Sequence, residues 1–205
     1  MGLDKLDRKP ADGHGAGAWP LPVLVLLVAF LLALGGETAQ QWMRFDRGGI
    51  SSGELWRLVS GHFVHLGWAH FALNGAGLLL VWYLVGEVFD WIRWILVGVF
   101  TVIVMDIGLW LFVPGLMWYV GLSGLLHGVL AAGLMERLRT ADREALIVMV
   151  LLLAKLAWEQ FSGPLPGSES TAGGAVIVDS HLFGALGGVV AAMLLRIRVR
   201  HTAPI

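Results

Sequence analysis

Four residues in this chain could act together on an acyl group. Ser123, within Gly121-Leu122-Ser123-Gly124, offers a hydroxyl, and His181 offers an imidazole that could take the hydroxyl proton and return it to a leaving amine. Acyl transfer also needs donors for the oxyanion. His70 and Asn74 are four apart, which puts them on one helix face. Ser123 would open a helix, where backbone N–H groups lack partners and the dipole favours negative charge. Each residue also has a plainer use. Glycines around a membrane serine mark close helix packing, and a lone histidine in a span is often a hydrogen-bonded core residue. Chemistry is indicated only if all four meet, and that depends on the elements that carry them.

The solvent for those elements is read from composition. Of 205 residues, 57% are hydrophobic and 14% charged, and mean hydropathy is +0.76. A soluble domain has about 45–50% apolar and about 25% charged residues, so this chain belongs in a bilayer. The net charge of −1 argues against a nucleic-acid partner, which needs a basic surface. With no cysteine there are no disulfides, thiol nucleophiles or thiolate metal sites. Several of the ten Trp stand near span ends, as interfacial anchors do.

Six apolar runs predict six membrane helices, at 20–36, 69–88, 93–113, 121–137, 144–161 and 178–199. Residues 1–18 read as a disordered cytoplasmic tail, 19–200 as one six-span domain and 201–205 as a C-terminal tail. Leu21–Gly36 lacks a small-x-small cleavage site and reads as a retained span. Orientation follows the basic residues. With the N-terminus inside, the inner segments hold Lys5, Arg8, Lys9, Arg93, Arg137, Arg139, Arg143, Arg196, Arg198 and Arg200, and the outer ones only Arg44, Arg47 and Arg57. Both termini are therefore expected to be cytoplasmic. The outer loop at 37–68 shows helical periodicity over Gly53–Val59, with Glu54 and Arg57 as neighbours on one face. It reads as an interfacial amphipathic piece into which Trp42 and Trp56 dip. Pro114–Val120 carries no charge and reads as a loop sunk into the membrane zone.

In this arrangement spans two, four and six run the same way. His70 with Asn74, Ser123, and His181 then fall at one depth near the outer surface. Gly184 and Gly188, a small-xxx-small pair, would let the sixth span approach another helix closely and carry His181 towards Ser123.

At these residues the sequence resembles the rhomboid family of intramembrane serine proteases. The matching stretches are Trp56-Arg57, then His65, His70 and Asn74, then Gly121-Leu122-Ser123-Gly124, and His181-Leu182-Phe183-Gly184 with Gly188. The resemblance implies Ser123 as nucleophile and His181 as general base. It implies oxyanion stabilisation by His70 and Asn74 with the backbone at Leu122–Ser123. Glu54, Arg57, His65, His127, Gly121, Gly124, Gly184 and Gly188 are expected to support the site. Within the family it is most similar to the rhombosortase branch, on Gly53-Glu54-Leu55-Trp56-Arg57-Leu58-Val59-Ser60-Gly61-His62, Val64-His65-Leu66-Gly67-Trp68-Ala69-His70 and Gly121-Leu122-Ser123-Gly124-Leu125-Leu126-His127-Gly128. That branch implies membrane-anchored exported substrates with a C-terminal Gly-Gly tail, cleaved near the periplasmic face of an inner membrane. No cofactor is implied.

One departure is His127, where many rhomboids have a tyrosine that packs on the catalytic histidine. At i+4 from Ser123, His127 is also a rival base. Asp179 should point about 200° away from His181, so a Ser–His dyad is expected. Asp106 and Lys155 are expected to pair, with Glu159 a competing partner four residues after Lys155. His65 is expected to steady the first loop by hydrogen bonding. His62, His65 and His70 could bind zinc in number, but they straddle a loop-to-helix entry and the resembled family uses no metal, so none is expected. Two other functions fit the same composition: a catalytically inactive rhomboid-like protein that binds transmembrane helices, and a small transporter. Loss of Ser123 or His181 would mark the first, and paired broken helices the second; neither sign stands in the sequence.

Overall fold

The computed structural model describes residues 19–200, with side chains through Leu195. Residues 1–18 and 201–205, read above as tails, lie outside the described residues. The chain runs through α1 (Pro20–Leu34), α2 (Gly36–Met43), β1 (Phe45–Asp46), α3 (Arg47–Ser51), α4 (Arg57–Ser60), α5 (Trp68–Val85) and α6 (Trp91–Phe112). There follow β2 (Trp118–Tyr119), α7 (Ser123–Arg137), a 3-10 turn at Leu138–Thr140, α8 (Arg143–Ser162), α9 (Ser168–Ala172) and α10 (Val178–Arg200).

Each of the six apolar runs folds as a helix. Local signals fix several starts. Asp90 and Asp142 accept the Arg93 and Ala145 N–H at 2.9 and 3.1 Å, capping α6 and α8, and Pro20 opens α1 where its missing N–H is harmless. The long helices are apolar nearly all round, the pattern of a membrane bundle. Their outward residues, among them Leu24, Leu80, Leu111, Leu151 and Phe161, are exposed. The protein is an integral membrane protein. Four helices are long and apolar enough to cross a bilayer: α5, α6, α8 and Val178–Leu195 of α10. α1 is shorter than its apolar run, because the chain bends by 115° between Leu34 and Gly36. α7 has 15 residues, about 22 Å against a hydrocarbon core of about 30 Å.

α7 is the centre, packed by α5, α6, α8 and α10. Its contact with α10 is made through backbone. A β-carbon at Gly184 would fall on the Gly124 carbonyl oxygen, and one at Gly188 on that of Gly128. Thr101 of α6 fills the third side, against Gly128 and Gly187. In lipid there is little hydrophobic drive between helices, so small residues that admit close backbones carry the association.

The first outer loop is not the single amphipathic helix its periodicity predicts. Gly53 turns the chain at φ +98°, and only one helical turn, Arg57–Ser60, follows. The loop is tied down by tertiary bonds instead. β1 pairs antiparallel with β2, Phe45 opposite Tyr119. Arg47 donates to the carbonyls of Leu109, Trp110, Val113 and Leu116 at 3.0–3.1 Å, closing the C-terminus of α6. Arg57 pairs with Glu54 and donates to the Gln41 and Arg44 carbonyls. Trp42 and Trp56 stay exposed.

Gly188→Ala is expected to destabilise the bundle by about 2–3 kcal/mol, because the methyl group meets the Gly128 carbonyl. Gly98→Ala, on an α6 face with nothing within 4 Å, should be neutral or stabilising by about 0.5–1 kcal/mol. Thermal unfolding of both variants in detergent checks the contrast.

Candidate active site

The backbone around Ser123 is shaped before its side chain is used. Gly121 holds φ +126°, and a β-carbon there would stand 2.9 Å from His70 Cε1, so conformation and space both require glycine. Its N–H donates to the Gly61 carbonyl at 3.1 Å, and its carbonyl accepts the Tyr119 hydroxyl at 2.5 Å. Burial pushes the Tyr119 phenol up, so it stays a donor. This short loop delivers Ser123 to the first position of α7.

The close α7–α10 approach then brings His181 to it. Ser123 Oγ lies 2.9 Å from His181 Nε2, across 58 residues of sequence. His181 is 5% exposed. On the other side of the serine stand His70 and Asn74, one turn apart on α5. The Leu66 N–H donates to His70 Nδ1 at 3.3 Å, so in the neutral ring the proton sits on Nε2, the nitrogen beside Gly121. Asn74 Nδ2 is buried with no partner among the described residues. Ser123, His181, His70 and Asn74 line one cavity of about 660 Å³, walled by Leu126, Leu130 and the 165–177 segment. A hydroxyl, a base and two unengaged donors in one apolar cavity can support attack on a carbonyl.

The serine and histidine expected as a dyad have a further neighbour. Glu159 Oε2 lies 2.9 Å from His181 Nδ1, buried at 3% exposure, so the histidine has a carboxylate behind it. Asp179, as expected, is not that group. The expected Asp106–Lys155 pair does not form either. Asp106 instead meets His62 at 3.1 Å, on the far side of α7's entry loop, where the His62 ring packs on Tyr119. Lys155 Nζ donates to Glu159 Oε1 at 2.7 Å, one turn away on α8. The i,i+4 spacing held the signal for Lys155–Glu159, but nothing in the sequence marked Glu159 as facing α10.

His127 stacks on His181, ring centres 4.2 Å apart and planes within 18°. Both its nitrogens are engaged, Nδ1 with the Ser123 carbonyl at 2.7 Å and Nε2 with Lys155 Nζ at 3.0 Å. It is thus bonded to the serine's backbone and not to its hydroxyl. His127, Glu159 and His181 offer ligand atoms within 4.8 Å of one another. The Lys155 ammonium lies within 3.3 Å of atoms of all three, so the protein supplies its own cation there.

His65 departs from its expected role. Neither ring nitrogen finds a hydrogen-bond partner among the described residues. The ring packs edge-on against His70 and Phe71 instead, at 5.1 and 5.7 Å. The sequence offered loop histidines but not the aromatic cluster that takes this one in.

Fold and site together define an integral membrane protein with a serine and a histidine joined at one cavity. A family model, the Rhomboid domain, matches residues 52–198. The chain belongs to the rhomboid family, whose members are generally intramembrane serine proteases. No curated protein matches it.

Burial, and then the neighbouring His70 ring, push the His65 pKa from the ordinary 6.5 down to about 4. The folded state keeps this ring neutral while the unfolded chain protonates it. Its contribution to stability is therefore complete above about pH 6.5 and is lost as pH falls towards 4, by up to about 1.4 kcal/mol per unit. Unfolding midpoints measured between pH 7.5 and 4.5 should fall on acidification, and His65→Phe, which keeps a flat ring, should flatten the fall.

Proposed function

We propose that this chain is an intramembrane serine protease of the rhombosortase type, with Ser123 as nucleophile and His181 as its base. The observation that carries the reading is the 2.9 Å contact between Ser123 Oγ and His181 Nε2, made inside a cavity that also holds unengaged donors. His181 Nε2 takes the hydroxyl proton as Oγ attacks the scissile carbonyl. The oxyanion is received by His70 Nε2–H, Asn74 Nδ2–H and the backbone N–H groups at Leu122–Ser123. The imidazolium then gives its proton to the leaving amine. A second nucleophile, water in the simplest case, releases the acyl group with His181 again as base.

The wider reading rests on the basic-residue count and on the rhombosortase-like stretches given above. Six helices cross the inner membrane of a Gram-negative cell, both termini are cytoplasmic, and the cavity faces the periplasm. The substrates are exported proteins anchored by a C-terminal Gly-Gly tail, made of a small-residue motif, an apolar span and basic residues. Glu54, Arg57, Gly121, Gly124, Gly184 and Gly188 serve by holding loop and helices in place, and His65 by packing.

Co-expression with a Gly-Gly-tailed reporter tests this. Wild type should release the reporter. Ser123→Ala and His181→Ala should each reduce cleavage at least about 10³-fold, while His127→Ala only reduces it. A fluorophosphonate should label the wild type and neither of the two inactive variants. Undiminished processing by Ser123→Ala would remove the protease assignment.

A further inference from the structure

Three polar side chains stand behind His181 with no part in the chemistry just described. Glu159 and Lys155 are on α8, and His127 is on α7. Their bonds can be followed one at a time.

The Ser123 carbonyl can only accept, so the 2.7 Å contact with His127 Nδ1 puts the proton on that nitrogen. His127 Nε2 then keeps its lone pair in the neutral ring and accepts from Lys155 Nζ at 3.0 Å. Lys155 donates a second proton to Glu159 Oε1 at 2.7 Å. The other carboxylate oxygen, Oε2, accepts His181 Nδ1–H at 2.9 Å. That leaves His181 Nε2 unprotonated to accept the Ser123 hydroxyl at 2.9 Å. The path starts at the oxygen of Ser123's peptide and ends at the oxygen of its side chain.

Resting on the protease reading, we propose that this closed ring of hydrogen bonds sets the tautomer of His181, with Glu159, Lys155 and His127 as positioning residues. The choice is a real one, because His181 Nδ1 has two neighbours that demand opposite states. Glu159 Oε2 at 2.9 Å can only accept and requires a proton on Nδ1. Lys155 Nζ at 3.3 Å can only donate and requires a lone pair there. If Lys155 prevailed, the proton would sit on Nε2 and point at Ser123, and His181 could not act as a base. The shorter contacts of Lys155, to Glu159 and His127, draw its protons away from Nδ1. His127 thus acts by occupying the lysine, and the serine's own carbonyl fixes His127 for that task.

Charge points the same way. Lys155 balances the Glu159 carboxylate in the resting site. When His181 becomes an imidazolium during attack, its Nδ1–H already faces that carboxylate. Other polar groups of the cavity that His181 lines are the stacked His127, His70 and Asn74 on α5, Tyr119 and Ser123 itself.

The experiment measures kcat and KM separately in proteoliposomes for wild type, Glu159→Gln, Glu159→Asp, Lys155→Met, His127→Phe and their double combinations. Ser123→Ala and His181→Ala set the floor. Glu159→Gln should lower kcat by about 10³–10⁴-fold with KM within threefold, and Glu159→Asp should recover at least about tenfold of that. Lys155→Met should lower kcat about tenfold at unchanged KM, and Lys155→Met combined with Glu159→Gln should be no worse than Glu159→Gln alone. A Glu159→Gln kcat within threefold of wild type overturns the proposal, as do independent, multiplying losses at Lys155 and Glu159. If Glu159→Gln does not fold, the Lys155→Met/His127→Phe cycle decides. His127 acts through Lys155, so the double variant should equal Lys155→Met alone, and multiplying losses overturn the ring. Full cleavage by Ser123→Ala or His181→Ala would instead overturn the protease reading itself.

Discussion

Two backbone oxygens, those of Gly124 and Gly128, lie where any β-carbon at positions 184 and 188 would stand. The molecule depends on that contact. It lets α10 run against α7 at a separation no larger residue permits. Because Ser123 precedes Gly124 by one residue and His181 precedes Gly184 by three, the same contact sets the gap between hydroxyl and imidazole. Packing and chemistry are one constraint here. In a soluble enzyme, a wide apolar core could hold two such helices from a distance; between lipid-exposed helices, close contact has to supply most of the attraction.

The second constraint is the treatment of polar groups in an apolar bundle. An unpaired charge at mid-membrane costs about 2.5–3.5 kcal/mol on insertion scales, and a half-satisfied network is worse than none. Around His181 each charged or polar group meets the next, from His127 through Lys155 to Glu159. His62 and Asp106 pair separately beside the entry loop, although His62 Nδ1 finds no partner among the described residues. One exception is informative: among the described residues, Asn74 Nδ2 stays without a partner although it is buried in the cavity wall. A donor held in reserve suits a negative charge that exists only during reaction.

Much of this was legible beforehand, for physical reasons. Apolar runs report lipid contact directly, so six helices stood out. The serine and histidine stood out because ionisable or nucleophilic groups are scarce in such runs, and the glycines because spacing by four defines a helix face. Other features were hidden. Glu159 read as a partner for Lys155 alone, since helical spacing tells which residues share a face but not which helix that face meets. The 53–59 stretch has helical periodicity, yet Gly53's positive φ and the bonds of Arg47 and Arg57 to distant carbonyls hold it as turns. His65's place was set by aromatic neighbours, which leave no spacing rule in the chain.

The 15-residue α7 falls short of the hydrocarbon thickness by about five residues. On the lipid-facing rim, such a helix would force the bilayer to thin around it or the helix to snorkel. Surrounded by α5, α6, α8 and α10, it meets almost no lipid and incurs no mismatch. At its Ser123 end the short helix stops at the cavity, so the room a longer helix would fill is left open to the serine.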